Sequence, residues 1–261
     1  MVKKLTVLGI QLNNYGIRDS FLVGEKYFHD DALNVIRLVT MGDLVLGSKD
    51  EDVKRALEET DLCVIEDKTI LEEAGVTAPG RISELQGHDF FLEFMRRVYK
   101  NGRSIFILGE SKESIEKLSA LLKEQYWHIE IAGSGIICED EAVNEKTLND
   151  INILVPDMVI SVLGSPLLDR FLNERRSQIY AKLLIALDSG IIRGSKRGIR
   201  GFLNGIFEEG IFRRLVKEMG VLTDNGFQSD SSNDTGWIEG DSQDGSVRDG
   251  HGREGSGDDY S

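Results

Sequence analysis

The sequence predicts an α/β protein, a mostly parallel sheet with helices on its faces. Three observations carry that prediction. Short apolar runs stand at 105–108 and 158–163, the mark of strands buried on both faces, with further strand-like runs at 35–39, 62–65 and 183–187. Segments of helical periodicity lie between them. At Gly109 and again at Gly164 a strand empties through a glycine turn toward a helix, the strand–helix–strand grammar of a parallel sheet.

In chain order, Leu5 to Leu12 reads as a first strand. Gly16 and Asp19 flank the start of a helix through Phe21, Leu22 and Tyr27. Val35 to Val39 is a second strand. A helical turn at Val45 and Leu46 precedes a helix with Val53, Ala56 and Leu57 on one face. Leu62 to Ile65 is a short buried strand that stops at Glu66-Asp67-Lys68, and Pro79-Gly80 marks a loop. Asp89 caps a helix carrying Phe90, Leu92, Phe94, Met95 and Val98. Ile105 to Leu108 is the central strand. Ser111 caps the next helix, Glu113 favours its dipole, and Ile115, Leu118, Leu121 and Leu122 keep helical spacing. Ile129 to Ala132 reads as a strand followed by a flexible turn at Gly133–Gly135. A helix through Leu148 and Ile151 closes before Pro156. Met158 to Leu163 is a strand, Leu167 to Arg175 a helix and Leu183 to Leu187 the last strand. This is a Rossmann-like order, with no internal repeat.

The charge is uneven. The net value is −14 over 261 residues. Residues 223–261 hold ten acids and two arginines, whereas 193–217 hold seven Lys/Arg against two Glu. From 223 onward Gly, Ser, Asp and Asn dominate and periodicity is lost, so this tail reads as disordered. The organisation expected is an α/β domain at 1–192, a basic amphipathic appendage at 193–222 and an acidic tail at 223–261. In the appendage, Phe202, Leu203, Ile206, Phe207, Ile211, Leu215 and Met219 can form one apolar stripe, with Arg213, Arg214 and Lys217 off it. Such a helix can lie in a membrane interface or pack on the core. No apolar run approaches the ~20 residues that span a bilayer. Cys63 and Cys138 read as reduced, buried thiols. His29, His88 and His128 lack ligand-spaced companions, so neither a metal nor another cofactor is expected.

Ligands of such sheets bind at the carboxyl ends of the strands. Those ends are Gly109-Glu110-Ser111, where a helix N-terminus could meet a phosphate, and Gly164-Ser165-Pro166. Glu66 and Asp67 stand where a buried strand enters a turn, a place for a carboxylate to take a hydroxyl proton.

Four stretches then carry a resemblance: LVLGSKDEDVKRALEETDLCVIED at 44–67, IFILGESKESIEKLSALLKEQY at 105–126, PDMVISVLGSP at 156–166 and KRGIRGFLNGIFEEGIFRRLVKE at 196–218. In order and spacing the chain resembles the bacterial WecG/TagA/CpsF glycosyltransferases, over roughly Leu5 to Lys217. The resemblance implies transfer of N-acetylmannosamine or a related sugar from a UDP donor to a polyprenyl-diphosphate-linked sugar in cell-envelope synthesis. It implies a cytoplasmic enzyme seated on the inner membrane face through 193–219, with no nucleic-acid partner and a homo-oligomer left open. It places the base at Glu66 or Asp67, substrate contacts at Thr40, Gly109, Gly164, Ser165 and Asp169, and diphosphate or headgroup contacts at Arg193, Arg197 and Arg200. The family's Asn after Thr40 is missing. Glu84 stands where the family has Arg, a role Arg81 could fill only through a shifted loop, and Leu168-Asp169 replaces Gln-Glu. The alternative reading is therefore an inactive member that binds a sugar nucleotide or scaffolds at the membrane.

Overall fold

The computed structural model describes residues 4–85, 89–187 and 209–218. Its centre is a six-stranded, all-parallel sheet in the order β4-β3-β8-β7-β5-β6. The strands are β3 (Asn34–Leu38), β4 (Leu62–Val64), β5 (Ile105–Gly109), β6 (Ile131–Ile136), β7 (Met158–Val162) and β8 (Leu183–Ala186). Helices cover both faces, because β3, β4, β5, β7 and β8 are apolar on both.

One face buries Ile36, Leu38, Ile105, Ile107, Ile160 and Ile185 beneath α1 (Ile17–Tyr27), α6 (Phe90–Lys100) and α7 (Lys112–Gln125). Stacked Phe21, Phe90 and Phe94 join α1 to α6. The opposite face buries Val35, Phe106, Leu108, Val159 and Leu184 beneath α8 (Glu141–Leu154) and α9 (Leu167–Arg175). At the β3–β4 end that face continues into a second cluster. It holds α2 (Met41–Gly47), α3 (Glu51–Glu58), α4 (Lys68–Glu73) and an N-terminal hairpin.

The hairpin corrects the expected single strand at 5–12. Lys4–Val7 (β1) and Ile10–Asn13 (β2) pair antiparallel across a turn in which Leu8 and Gly9 both have positive φ. Two positive φ values are what a tight two-residue hairpin turn requires. Gly133–Gly135 is likewise not a turn but lies inside β6. A Cβ at Gly133 would meet the Phe106 ring at 2.9 Å, and one at Gly135 would meet Thr147 at 2.3 Å. These glycines let α8 and Phe106 approach the strand closely. Pro79 opens a short helix, α5 (Pro79–Ser83), rather than a loop, as proline at a first helical position can.

Residues 209–218 form a helix whose inward side is Phe212 and Val216, both buried against the hairpin and α4 cluster. The stripe is therefore shifted from the one expected, since Ile211 is exposed. Arg213 pairs with Glu73 of α4 and with Glu209, and Arg214 pairs with Glu218. Within the described part, the core-packing alternative holds for this helix. No helix among the described residues is long and apolar enough to cross a membrane.

A buried charge cluster ties α2 and α9 to the sheet. Arg37 of β3 is 3 % exposed. Its Nη1 donates to Asp169 of α9 at 2.5 Å and its Nη2 to Asp43 of α2 at 2.7 Å. Burial alone would lower the arginine pKa, but the two carboxylates drive it above its ordinary value. Breaking one side of such a pair leaves an uncompensated buried charge. Arg37→Ala should therefore cost about 3–5 kcal/mol in chemical denaturation, with most of the loss recovered only when both carboxylates go too, in Arg37→Met/Asp43→Asn/Asp169→Leu; a single-variant loss under about 1 kcal/mol would mean the pair is not what holds α9. Phe212→Ala should cost about 3–5 kcal/mol, measured by the same denaturation, if the helix is part of the folded body.

Candidate functional site

The sheet's connections locate a crevice. After β5 the chain turns to α7 on one face, whereas after the adjacent β7 it turns to α9 on the other. Neighbouring strands whose connections leave on opposite faces open a gap at their carboxyl ends. Gly109-Glu110-Ser111 and Gly164-Ser165-Pro166 flank this gap. The two glycines differ. A Cβ at Gly109 would strike Ser114 at 2.6 Å and Ile115 at 2.7 Å, so α7 packing accounts for it. A Cβ at Gly164 would meet nothing within 4 Å, and its φ is not positive. The fold does not need glycine there.

Gly164 borders a small cleft at the carboxyl ends of β3, β8 and β7. Arg37, Leu38, Asp43, Leu163, Ser165 and Leu187 form much of its wall, and it holds about 20 Å³ for a water-sized group. Ser165 Oγ lies 2.6 Å from Arg37 Nη2 and donates to Asp43 Oδ1 at 3.1 Å. Thr40 caps α2: its hydroxyl accepts from the Asp43 N–H at 3.1 Å and donates to Asp43 Oδ2 at 3.0 Å. Burial would raise the Asp43 carboxyl, yet Arg37 and the Thr40 donors hold it below its ordinary value. Asp169 is fully buried, and its Oδ2 has no hydrogen-bond partner. Thus Thr40, Gly164, Ser165 and Asp169 converge on one locality, organised by Arg37. In sequence Arg37 is concealed within a strand pattern. A guanidinium inside Val-Ile-Arg-Leu-Val was the signal.

Glu66 and Asp67 follow β4, at the sheet's edge on the same rim. Each already holds a backbone donor. Asp67 Oδ1 accepts from the Thr69 N–H at 2.7 Å and caps α4. Glu66 Oε1 accepts from the Phe90 N–H at 2.6 Å. Burial pushes the Glu66 carboxyl up; the Phe90 N–H opposes that, and Asp89 and Glu93 add to it. Arg81 of α5 reaches the same place. Its Nη2 lies 3.4 Å from the Ile65 carbonyl. Its Nε and Nη1 are buried with no hydrogen-bond partner, and its ion pair with Glu84 is long at 3.7 Å. Desolvation lowers the Arg81 pKa and Glu84 opposes it.

The cysteines divide. Cys63 is buried, and burial pushes its thiol up to about 12. Cys138 is half-exposed, contrary to the expected burial, because it follows β6 where the rim opens toward Asn144 and Arg170. Among the described residues no group of three or more His, Cys, Asp or Glu could hold a metal ion. His88, Arg193, Arg197, Arg200 and the tail at 223–261 lie outside the described residues.

No curated protein matches the chain. The profile of the Glycosyl transferase WecG/TagA/CpsF family matches residues 5–191, from the hairpin to just past the last strand. That span takes in every strand of the sheet and both acid-bearing and glycine-bearing ends of the rim. The chain belongs to the WecG/TagA/CpsF glycosyltransferase family.

Proposed function

We propose that the chain transfers an N-acetylhexosamine, of the N-acetylmannosamine type, from a UDP-sugar to a polyprenyl-diphosphate-linked sugar in cell-envelope polysaccharide synthesis. The observation that carries this reading is Glu66. It is a half-buried carboxylate at a strand's carboxyl end, with its pKa raised by desolvation, on the rim of a glycosyltransferase fold. A base that must take the proton of an acceptor hydroxyl works best with a pKa above the ordinary carboxylate range.

In this mechanism the nucleotide lies in the crevice between the β5 and β7 ends, and its sugar points toward Gly164. The acceptor hydroxyl approaches the anomeric carbon from the β4 side. Glu66 takes the hydroxyl proton as the new glycosidic bond forms and the bond to UDP breaks, inverting the anomeric centre. The Phe90 N–H holds one carboxylate oxygen and leaves the other for the proton. Arg81, at the β4 edge with two buried nitrogens unpartnered, meets the diphosphate of the lipid-linked acceptor, which approaches from that side. The lipid-linked acceptor places the enzyme at the inner membrane surface. The Lys/Arg-rich residues 193–200 are the basic segment for that contact, because Arg213 and Arg214 are already paired.

A second reading is favoured by the hydrogen bonds themselves. Both acids hold backbone donors, and a member whose acids serve only to shape the turn would bind a sugar nucleotide without turning it over.

Glu66→Gln separates the two. In a transfer assay with UDP-N-acetylmannosamine and a short-chain prenyl-diphosphate N-acetylglucosamine, it should lower turnover by about 10²–10⁴-fold and leave UDP binding intact. If Asp67→Asn abolishes turnover and Glu66→Gln does not, the base is Asp67; no turnover with intact UDP binding in the wild type supports the second reading. Stability gives an independent check. An acid whose folded pKa is raised binds more protons folded than unfolded, so stability falls as pH rises from the ordinary carboxylate value through the folded one. Glu66→Gln should therefore melt higher than the wild type at neutral pH, and the gap should close on acidification below the ordinary carboxylate range. Arg81→Gln should raise the KM for the lipid-linked acceptor about tenfold or more, as loss of a charged hydrogen-bonding partner does, read by steady-state kinetics.

A further inference from the structure

The two edges of the sheet are finished differently. β4, at one end, is three residues long and lies against the N-terminal hairpin, whose Asn13 reaches the Asp61 carbonyl beside it at 3.2 Å. β6, at the other end, is six residues long, and among the described residues no strand pairs with its outer side. Its register sets Ile107 against Ser134 and Gly109 against Ile136, and the Ile137 N–H donates to the Gly109 carbonyl. Backbone groups alternate between the two sides of such a ladder. Ser134 and Ile136 therefore turn theirs away from β5. The Ile136 carbonyl accepts from the Thr147 hydroxyl at 2.9 Å, whereas Ser134 keeps its N–H and C=O for the outer side.

An open edge is normally guarded by a charge, a proline, a short length or a bulge. From Ile131 to Cys138 there is neither charge nor proline. The one register shift falls at the amino end of β6, and the ladder is regular from Gly133 to Ile136. Apolar bulk flanks the same edge. Leu154 of α8 is 45 % exposed and reaches Gly133, where a Cβ would meet its Cδ1 at 2.7 Å. Ile153 beside it is exposed, and so is Trp127, four residues ahead of the strand. The strand's own sequence says what fits there. IAGSGII at 131–137 reads nearly the same in both directions about Ser134. A second copy, antiparallel on a two-fold axis at Ser134, sets Ser134 against Ser134, Gly133 against Gly135 and Ile131 against Ile137. The outward groups of each Ser134 then bond to those of the other, the self-complementarity that a two-fold interface needs. The same axis brings the exposed His128 of one copy opposite the exposed Asp140 of the other. A foreign extended peptide would be selected by pockets for its alternate side chains. Gly133 and Gly135 offer none, because Phe106, Leu154 and Thr147 already fill the places beside them.

We infer that two copies of this chain join edge to edge through β6, antiparallel about Ser134, so that one sheet runs through both. The two rims then point in opposite directions, and the β4 edges with Glu66 stand at the far ends of the pair, uncovered. The pairing is independent of what the rim does. One short strand and its flanks are small against the roughly 800 Å² per partner of a standard interface, so the expected dissociation constant is on the order of micromolar to tens of micromolar.

The test is sedimentation equilibrium of the full chain at low salt, from micromolar to millimolar concentration. The wild type should pass from monomer to dimer across that range. Ser134→Lys and Ser134→Glu each set a charge directly opposite its own copy, which destabilises a strand pair. Each variant should stay monomeric and keep the wild-type circular dichroism, because the Ser134 side chain is exposed. Mixed one to one, the two variants should dimerise again, since opposite charges then face each other across the axis. Hydrogen exchange gives a second reading: the Ser134 and Ile136 amides of the wild type should gain protection as concentration rises, and in either variant alone they should not. A wild type that remains monomeric at millimolar concentration overturns the inference. So does a dimer that survives either substitution, or a mixture that stays monomeric. Protection of the Ser134 amide that does not depend on concentration overturns it too, because another part of the same chain then covers the edge.

Discussion

The guanidinium of Arg37 is the constraint on which the rim depends. It sits on β3, one strand in from the sheet's edge, beneath two helices that arrive from distant parts of the chain. Asp43 comes from the helix after β3, and Asp169 from the helix after β7. Both helices must therefore dock with their first turns over the same strand. This fixes the spacing of the loops before them, which carry Thr40 and Ser165. A purely apolar contact would have held the helices as firmly, since buried ion pairs seldom add net stability over well-packed hydrophobic groups. What the charges supply is position, because each carboxylate must meet one guanidinium in one geometry.

The parts of the fold that were legible in the sequence are those where one physical demand acts. Strands buried on both faces read as mostly apolar runs; β4, β5 and β8 are unbroken, and β3 and β7 carry Arg37 and Ser161 inside theirs. Capped helices read equally well: Ser111 and Asp89 make the side-chain caps their positions announced. Where two demands compete, local reading fails. Gly133 and Gly135 carry turn chemistry, but the crowding of Phe106, Leu154 and Thr147 decides their role, and crowding is a tertiary fact. The hairpin failed for a related reason. Leu8 is apolar and sits inside an apolar run, yet it adopts a positive φ beside Gly9.

The site divides along the same line. Residue type and position after a strand were enough to point at Glu66, Asp67, Gly164 and Ser165. They were not enough to say what each does. Asp67 and Thr40 are tied into helix caps, and only burial distinguishes Glu66 from its neighbour. Arg37 was hidden because a strand pattern absorbs one polar residue without losing its identity. Arg81 stood in the sequence only as a neighbour of Glu84; what singles it out is structural, two buried nitrogens without a hydrogen-bond partner.

Charge is laid out along the rim in a way that constrains any chemistry done there. At β3, Arg37 is neutralised twice over, so that part of the rim is slightly acidic. At the β4 edge, Arg81 keeps two buried nitrogens without partners, and burial raises the Glu66 carboxyl of the same edge. A diphosphate and a hydroxyl-rich sugar ask for opposite surroundings, cations for the one and acceptors for the other. Had Arg37 been free, it would have drawn phosphate to β3. By engaging that arginine with Asp43 and Asp169, the fold leaves unmatched guanidinium donors at the β4 edge instead, so the two requirements are met at different points along one rim.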